Sequence, residues 1–305
     1  MVVLEGVTAN SPLTAALLHG EIGCIVIVMQ QQPGPMPEPR LSLSLIEQHP
    51  IRDKTVGLNE PSGLTLNQDG TALYTVSDDT KAVFRLDLKG RLSVAESFFI
   101  GVDDLEGITI NADGSRLHAV QEETNAVITI DIASRRELSR RPLGAMANYA
   151  SIARYFQDPP DNKGLEGITV NTRTGHLFVV KEGRPGLLIE LDGEGNSILQ
   201  ARLLNDSNGF VHPTVGAKKL DFSGLSYDAE RDTIWITSDK GQCLFHYDWN
   251  QDQVLQRLDL VIDDAKKPRR IRKSEGVAID PVRQRLYVVS ERDGILYVFR
   301  IHADD

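Results

Sequence analysis

Apolar and polar positions alternate along this chain in runs of a few residues. Asn, Asp and Gly turns break the runs, and no stretch sustains the period of a helix. The unit that begins at Gly63 shows the pattern. Gly63 to Leu66 reads as a short strand, Asn67-Gln68-Asp69-Gly70 as a turn, and Ala72 to Val76 as a second strand. After the polar stretch Ser77 to Lys81, Val83, Phe84 and Leu86 alternate into a third strand that ends at Lys89-Gly90. Leu92 to Ile100 supplies a fourth. The first turn returns at Asn111 to Gly114, Asn171 to Gly175, Asp228 to Asp232 and Asp280 to Gln284.

A short motif marks each return: Glu60-Pro61-Ser62-Gly63-Leu64, Asp104-Leu105-Glu106-Gly107-Ile108, Gly164-Leu165-Glu166-Gly167-Ile168, Asp221-Phe222-Ser223-Gly224-Leu225 and Lys273-Ser274-Glu275-Gly276-Val277. The motif glycines are 44, 60, 57 and 52 residues apart. A propeller blade takes about 40 to 50 residues, so the later units carry insertions. Four antiparallel strands repeated five times predict an all-β, five-bladed β-propeller over residues 41–305, with a six-bladed ring as the alternative. The last unit stops after its third strand, Ile295 to Ile301. Leu41 to Ile46 is therefore predicted to complete that blade and close the ring, where an open stack would leave bare edges.

Two positions in the unit are chemically more constant than folding demands. The residue before each motif glycine is Ser62, Glu106, Glu166, Ser223 or Glu275. The residue fifteen after it is Asp78, Glu122, Glu182, Asp239 or Glu291, acidic in all five units. In a blade the innermost strand starts on one face, and the loop joining the second and third strands returns there. Both sets should therefore meet at one mouth of the channel. Carboxylates about 5 Å apart repel by roughly 3 kcal/mol at an effective dielectric near 20, so cations, protons or basic side chains must compensate. Calcium, which accepts several oxygen ligands in loose geometry, is the simplest compensation. The expectation is a calcium ion held by Glu106, Glu166 and Glu275. Ser62, Ser223, Asp78, Glu122, Glu182, Asp239 and Glu291 then act as ligand-binding groups or as supports around it. The plainer alternative is structural: strand-start carboxylates accept backbone N–H bonds, and the second set pairs with Lys181, Lys240 and Arg292. The motif glycines read as architecture, since crowded inner strands need close backbone approach.

Charge narrows the partners. The chain has 305 residues, a formal net charge of -10 and a pI near 5.2, which argues against a nucleic-acid surface. The one basic run, from Lys266 to Lys273, reads as a solvated loop or a local anion contact. Cys24 and Cys243 make no disulfide framework. Residues 1–40 read as an extension and linker. The apolar run Cys24 to Met29 is too short to span a bilayer and has no Lys or Arg before it, and Gln30 to Pro39 is rich in Gln and Pro. No transmembrane helix is expected.

At its motifs the chain resembles the bacterial SdiA-regulated family of β-propellers and, more distantly, the esterase-like phytase propellers. Ser274-Glu275-Gly276-Val277-Ala278-Ile279-Asp280, Val288-Val289-Ser290-Glu291 and Val179-Val180-Lys181-Glu182 carry the resemblance along with the motifs above, over about residues 41–302. It implies a calcium-compatible propeller, periplasmic or held on the outer side of the inner membrane, though the N-terminal anchor it implies is not recognisable here. It implies no settled activity. The expected function is binding of a small molecule or protein partner at the channel mouth, assisted by the metal. The alternative is a metal-dependent hydrolase of phosphoesters or esters. For that reading His212 is a candidate base, while His118 and His176 read as packed or surface residues. No Gly-x-Ser-x-Gly elbow occurs. Three long segments lead into units on the same face: Leu143 to Lys163, Asn205 to Leu220 and Val261 to Lys273. The first carries Tyr149, Tyr155, Phe156, Pro159 and Pro160, a possible ligand wall or an edge cover.

Overall fold

A computed structural model describes residues 40–156, 163–216, 219–263 and 267–304. The extension and linker, with Cys24 to Met29 and Gln30 to Pro39, lie outside the described residues, as do Pro159, Pro160 and Lys266. The description begins with β1 (Arg40–Pro50). The first blade is β2 (Pro61–Leu66), β3 (Ala72–Ser77), β4 (Thr80–Asp87) and β5 (Phe98–Phe99). The second is β6 (Leu105–Ile110), β7 (Arg116–Gln121), β8 (Ala126–Asp131) and β9 (Arg136–Pro142). The third is β10 (Leu165–Val170), β11 (Leu177–Lys181), β12 (Gly186–Leu191) and β13 (Ile198–Leu204). The fourth is β14 (Leu225–Asp228), β15 (Thr233–Ser238), β16 (Cys243–Asp248) and β17 (Gln253–Asp259). A small hairpin, β18 (Val261–Ile262) with β19 (Arg269–Arg270), precedes the last blade of β20 (Ser274–Asp280), β21 (Arg285–Ser290) and β22 (Ile295–Asp304).

Each of these blades is a four-stranded antiparallel sheet in simple up-and-down order, and β1 supplies the fourth strand of the last. It pairs antiparallel with β22, from Arg40 opposite Asp304 to Pro50 opposite Ile295, with a bulge at Ile46. The ring thus closes by pairing the start of the described chain with its end. The predicted five blades and the closing strand are both present, and the closing strand is longer than Leu41 to Ile46. The inner strands β2, β6, β10, β14 and β20 neighbour one another in sequence, and β20 returns to β2. That return excludes the open stack.

Five apolar clusters fill the spaces between adjacent blades. One joins Tyr74, Val76 and Val83 of the first blade to Leu105, Ile108 and Leu117 of the second. Another joins Leu64 and Leu73 to Ala278, Tyr287 and Leu296 of the last, so the seam at the closure is packed like the others. Blade faces are covered on both sides, which is why β3, β7, β11 and β15 are buried almost throughout.

One predicted strand is mostly missing. Leu92 to Ile100 yields only β5 and a single bridge between Leu86 and Leu92. A turn over residues 93–97 takes its place: Ser93 N–H donates to the Arg85 carbonyl at 2.8 Å, and Arg85 N–H donates to Ser97 Oγ at 3.0 Å. Arg85 is also paired with Glu96. One main-chain bond and one side-chain bond thus serve Arg85 on the edge of β4 in place of a ladder.

Candidate functional site

The motif glycines bring the inner strands close enough to narrow the channel to a waist. A Cβ on Gly63 would stand 2.7 Å from the Glu106 carbonyl oxygen, and one on Gly107 would stand 2.8 Å from that of Glu166. Cβ atoms on Gly167, Gly224 and Gly276 would run into the carbonyls of Ser223, Glu275 and Ser62. Each glycine therefore backs onto the residue before the next motif glycine, around the whole ring. The waist holds no space for a water molecule.

On one side of it lies a cavity of about 370 Å³ lined by ten carboxyl groups, three lysines and Ser223. Backbone bonds set the two expected rings together. The N–H groups of Glu122, Glu182 and Glu291 donate to the carbonyls of Asp104, Gly164 and Lys273 at 3.2, 3.0 and 3.0 Å. In these three blades the loop after the second strand is thereby tied to the lead-in of its own inner strand. Of the predicted residues, Glu106, Glu166, Ser223, Glu275, Asp78, Glu122, Glu182, Asp239 and Glu291 all line this cavity. Ser62 is buried just off it, within hydrogen-bond reach of Glu106, as Ser223 is of Glu275. Asp104, Asp221, Lys163 and Lys273 line the cavity too, and the sequence reading did not single them out. Asp104, Asp221 and Lys273 share a place three residues before the motif glycine, inside the motif strings themselves. That shared place was the available signal.

The mouth is electrically lopsided. Lys163 lies 2.5 Å from Glu182, and Lys240 lies 3.4 Å from Glu182 and 2.9 Å from Asp221. Lys273 lies 3.0 Å from Glu291 and 3.4 Å from Glu275. Of the expected basic partners Lys240 reaches these acids, whereas the Lys181 ammonium donates to the Gly183 carbonyl at 2.5 Å. No ion pair of the described residues reaches Asp78, Asp104, Glu106, Glu122 or Glu166 on the opposite wall. Two carboxylate triplets have oxygens within 4.8 Å of one another: Asp104, Glu106 and Glu122 on that wall, and Glu122, Glu166 and Glu182, the last of which Lys163 and Lys240 also pair with. Glu275 belongs to neither triplet.

Proton affinities follow this layout. Burial, then repulsion from Asp78 and Glu275, pushes Glu106 well above the usual carboxyl range. Burial and then Glu106 do the same to Glu166. Burial raises Asp78 to about 6 and Glu275 to about 7, the latter against hydrogen bonding from Ser223 and the charge of Lys273. Glu122 and Asp239 are raised by burial as well, although each accepts a backbone N–H of the next lead-in, from Gly164 at 3.1 Å and Lys273 at 2.6 Å. The second ring is thus partly architectural.

The other candidates lie elsewhere. Tyr149, Tyr155 and Phe156 pack against the cluster between the second and third blades, so this aromatic segment covers a blade edge and does not wall the cavity. Phe210, in the second long segment, is buried against Phe222, Phe245 and Tyr247. His212 does not line the cavity: its Nδ1 accepts the Val215 N–H at 3.1 Å, and burial, then Arg257 and Arg270, disfavour its protonation. His118 is buried beside Thr129, and His176 pairs with Glu190 at 2.7 Å.

The sequence model of the SdiA-regulated family matches residues 45–300. In fold the chain is similar to a glutaminyl cyclase of Myxococcus xanthus, at 13% identity and a TM-score of 0.60, over 88% of this chain and 100% of that one. A weaker likeness, at 12% identity and a TM-score of 0.49, links 81% of this chain to 97% of a chain of Kuenenia stuttgartiensis hydrazine synthase. These likenesses concern the fold alone. A search of curated protein sequences finds no match. No helix of the described residues is long and apolar enough to cross a membrane.

Proposed function

The chain belongs to the SdiA-regulated family, and from that premise we propose that its acidic mouth binds a divalent cation, calcium by donor type, which helps hold a small molecule or protein partner there. The observation that carries this reading is the place of Glu122 in both carboxylate triplets, the first of which, with Asp104 and Glu106, meets no ion pair among the described residues. All donors are hard oxygens, as calcium prefers. At an effective dielectric near 20, two charges no more than 4.8 Å apart repel by at least roughly 3 kcal/mol, which a divalent ion would relieve. Three carboxylates are fewer than the six to eight ligands calcium takes, so positions would stay open toward the cavity for a ligand. The hydrolase alternative finds less support. Among the described lining residues there is no histidine, and the one hydroxyl, Ser223, is engaged with Glu275.

Thermal melting tests the proposal. Calcium at a hundred times its dissociation constant adds about 2.7 kcal/mol, which raises the melting temperature of a domain this size by at least a few degrees. Glu122→Gln keeps an oxygen for the Gly164 N–H but removes the charge common to both triplets. It is expected to lose most of the calcium shift. A wild-type protein that melts identically with calcium and with chelator, or a variant that keeps the full shift, contradicts the reading.

A further inference from the structure

We propose that the opposite end of the channel is a second small-molecule site, for an uncharged molecule with an apolar body and a carbonyl oxygen. Beyond the glycine waist lies a separate cavity of about 360 Å³. Inner-strand residues two past the motif glycine line it, and in four of the five blades they are hydroxyls: Thr65, Thr109, Thr169 and Ser226. Thr169 Oγ1 accepts the Tyr227 N–H at 2.9 Å, and Ser226 Oγ accepts the Ile279 N–H at 3.0 Å. Both use their acceptor side on the next blade and keep their O–H hydrogen for the cavity. The hydroxyls of Thr65 and Thr109 have no hydrogen-bond partner among the described residues, although Thr109 is only 5% exposed.

Thr65 is half-buried and neither oxygen is sealed off, so water or a ligand in the cavity meets these hydroxyls. Their matching depth on adjacent strands lets one acceptor oxygen replace several waters. The walls above them are largely apolar, with Leu66, Ile110, Val170 and Ile279. The charged residues that line it are Asp69, Asp280 and Arg283, and Arg283 is held by Asp280 at 2.6 Å. A cavity of this size with apolar walls and a few convergent donors suits a small ligand, and with no spare cation at hand the acceptor it takes is neutral. This site is independent of the metal reading, because the waist separates the two cavities.

Saturation-transfer NMR on the full chain tests it, with benzamide as the probe and benzoate as its charged counterpart. Benzamide is expected to receive saturation and to bind more tightly than benzoate, with or without calcium. Thr109→Val keeps the volume and breaks no protein hydrogen bond. It is expected to weaken benzamide by about fivefold without lowering the melting temperature, and Thr65→Val is expected to do the same. No transfer to benzamide, equal binding to wild type and both variants, or preference for benzoate overturns the proposal.

Discussion

Glu106, Glu166 and Glu275 stand where burial and neighbouring carboxylates oppose their charge. Their folded-state pKa values lie above the unfolded ones, so the native state holds protons that the unfolded chain has already lost. The resulting stabilisation is fully present below the ordinary carboxyl range, near 4.5, and is lost as pH rises through the folded values, about 7 for Glu275. Glu106→Gln removes one of these charges while leaving an acceptor for Ser62. In calcium-free protein it is expected to raise the melting temperature by a few degrees at pH 8 and to change it little at pH 5. A lower melting temperature at pH 8 would mean that the fold needs Glu106 as a hydrogen-bond acceptor. The two acidic sets were legible because each recurs at one place in a repeat. Asp104, Asp221 and Lys273 were less so, because their shared position varies in sign, with Glu60 and Gly164 filling it elsewhere. Which acids meet a lysine depends on loop paths, and spacing does not encode those.

Among the strands, β1 has the largest task. Leu41 is buried, and Leu41, Leu43 and Leu45 pack into the cluster between the last two blades. The side chain of Gln256, on β17, clasps the backbone of Leu41, accepting its N–H at 2.8 Å and donating to its carbonyl at 2.6 Å. β1 therefore seals its own sheet and also the seam to the fourth blade. Deleting residues 1–36 is expected to leave one cooperative denaturant transition, whereas deleting 1–48 abolishes it or lowers its midpoint sharply. Equal midpoints for the two truncations would contradict closure by this strand. The missing terminal strand of the last unit made β1 legible, since a propeller needs a partner there. The shortness of β5 was not legible, because Leu92 to Ile100 has strand composition and its fate turned on the bond from Ser93 N–H to the Arg85 carbonyl and the bond from Arg85 N–H to Ser97 Oγ. Nor did composition reveal that Tyr155 and Phe156 cover a blade edge, as a loop aromatic reads alike in either role.

Across the whole molecule, five copies of one unit made the architecture readable where a single copy would not have been. An error in one strand, such as the fourth of the first blade, left the count and closure of the ring intact. The same repetition sets polar groups at both ends of the inner strands: a carboxylate before the motif glycine in three blades and a hydroxyl two residues after it in four. The waist keeps the two apart, so ten carboxyl groups line one mouth and only Asp69, Asp280 and Arg283 carry charge at the other. The sequence leads to the expectation of a cation on Glu106, Glu166 and Glu275, and the proposal made here centres instead on the triplets that share Glu122, whose carboxylate oxygens lie within 4.8 Å of one another. The measurement that bears most directly on this account is an anomalous difference map from crystals grown with calcium. The account predicts a peak about 2.3 to 2.6 Å from carboxylate oxygens of Glu122 and its partners in one or both triplets. A well-ordered map with no peak at this mouth, or with calcium bound only elsewhere on the surface, would contradict it.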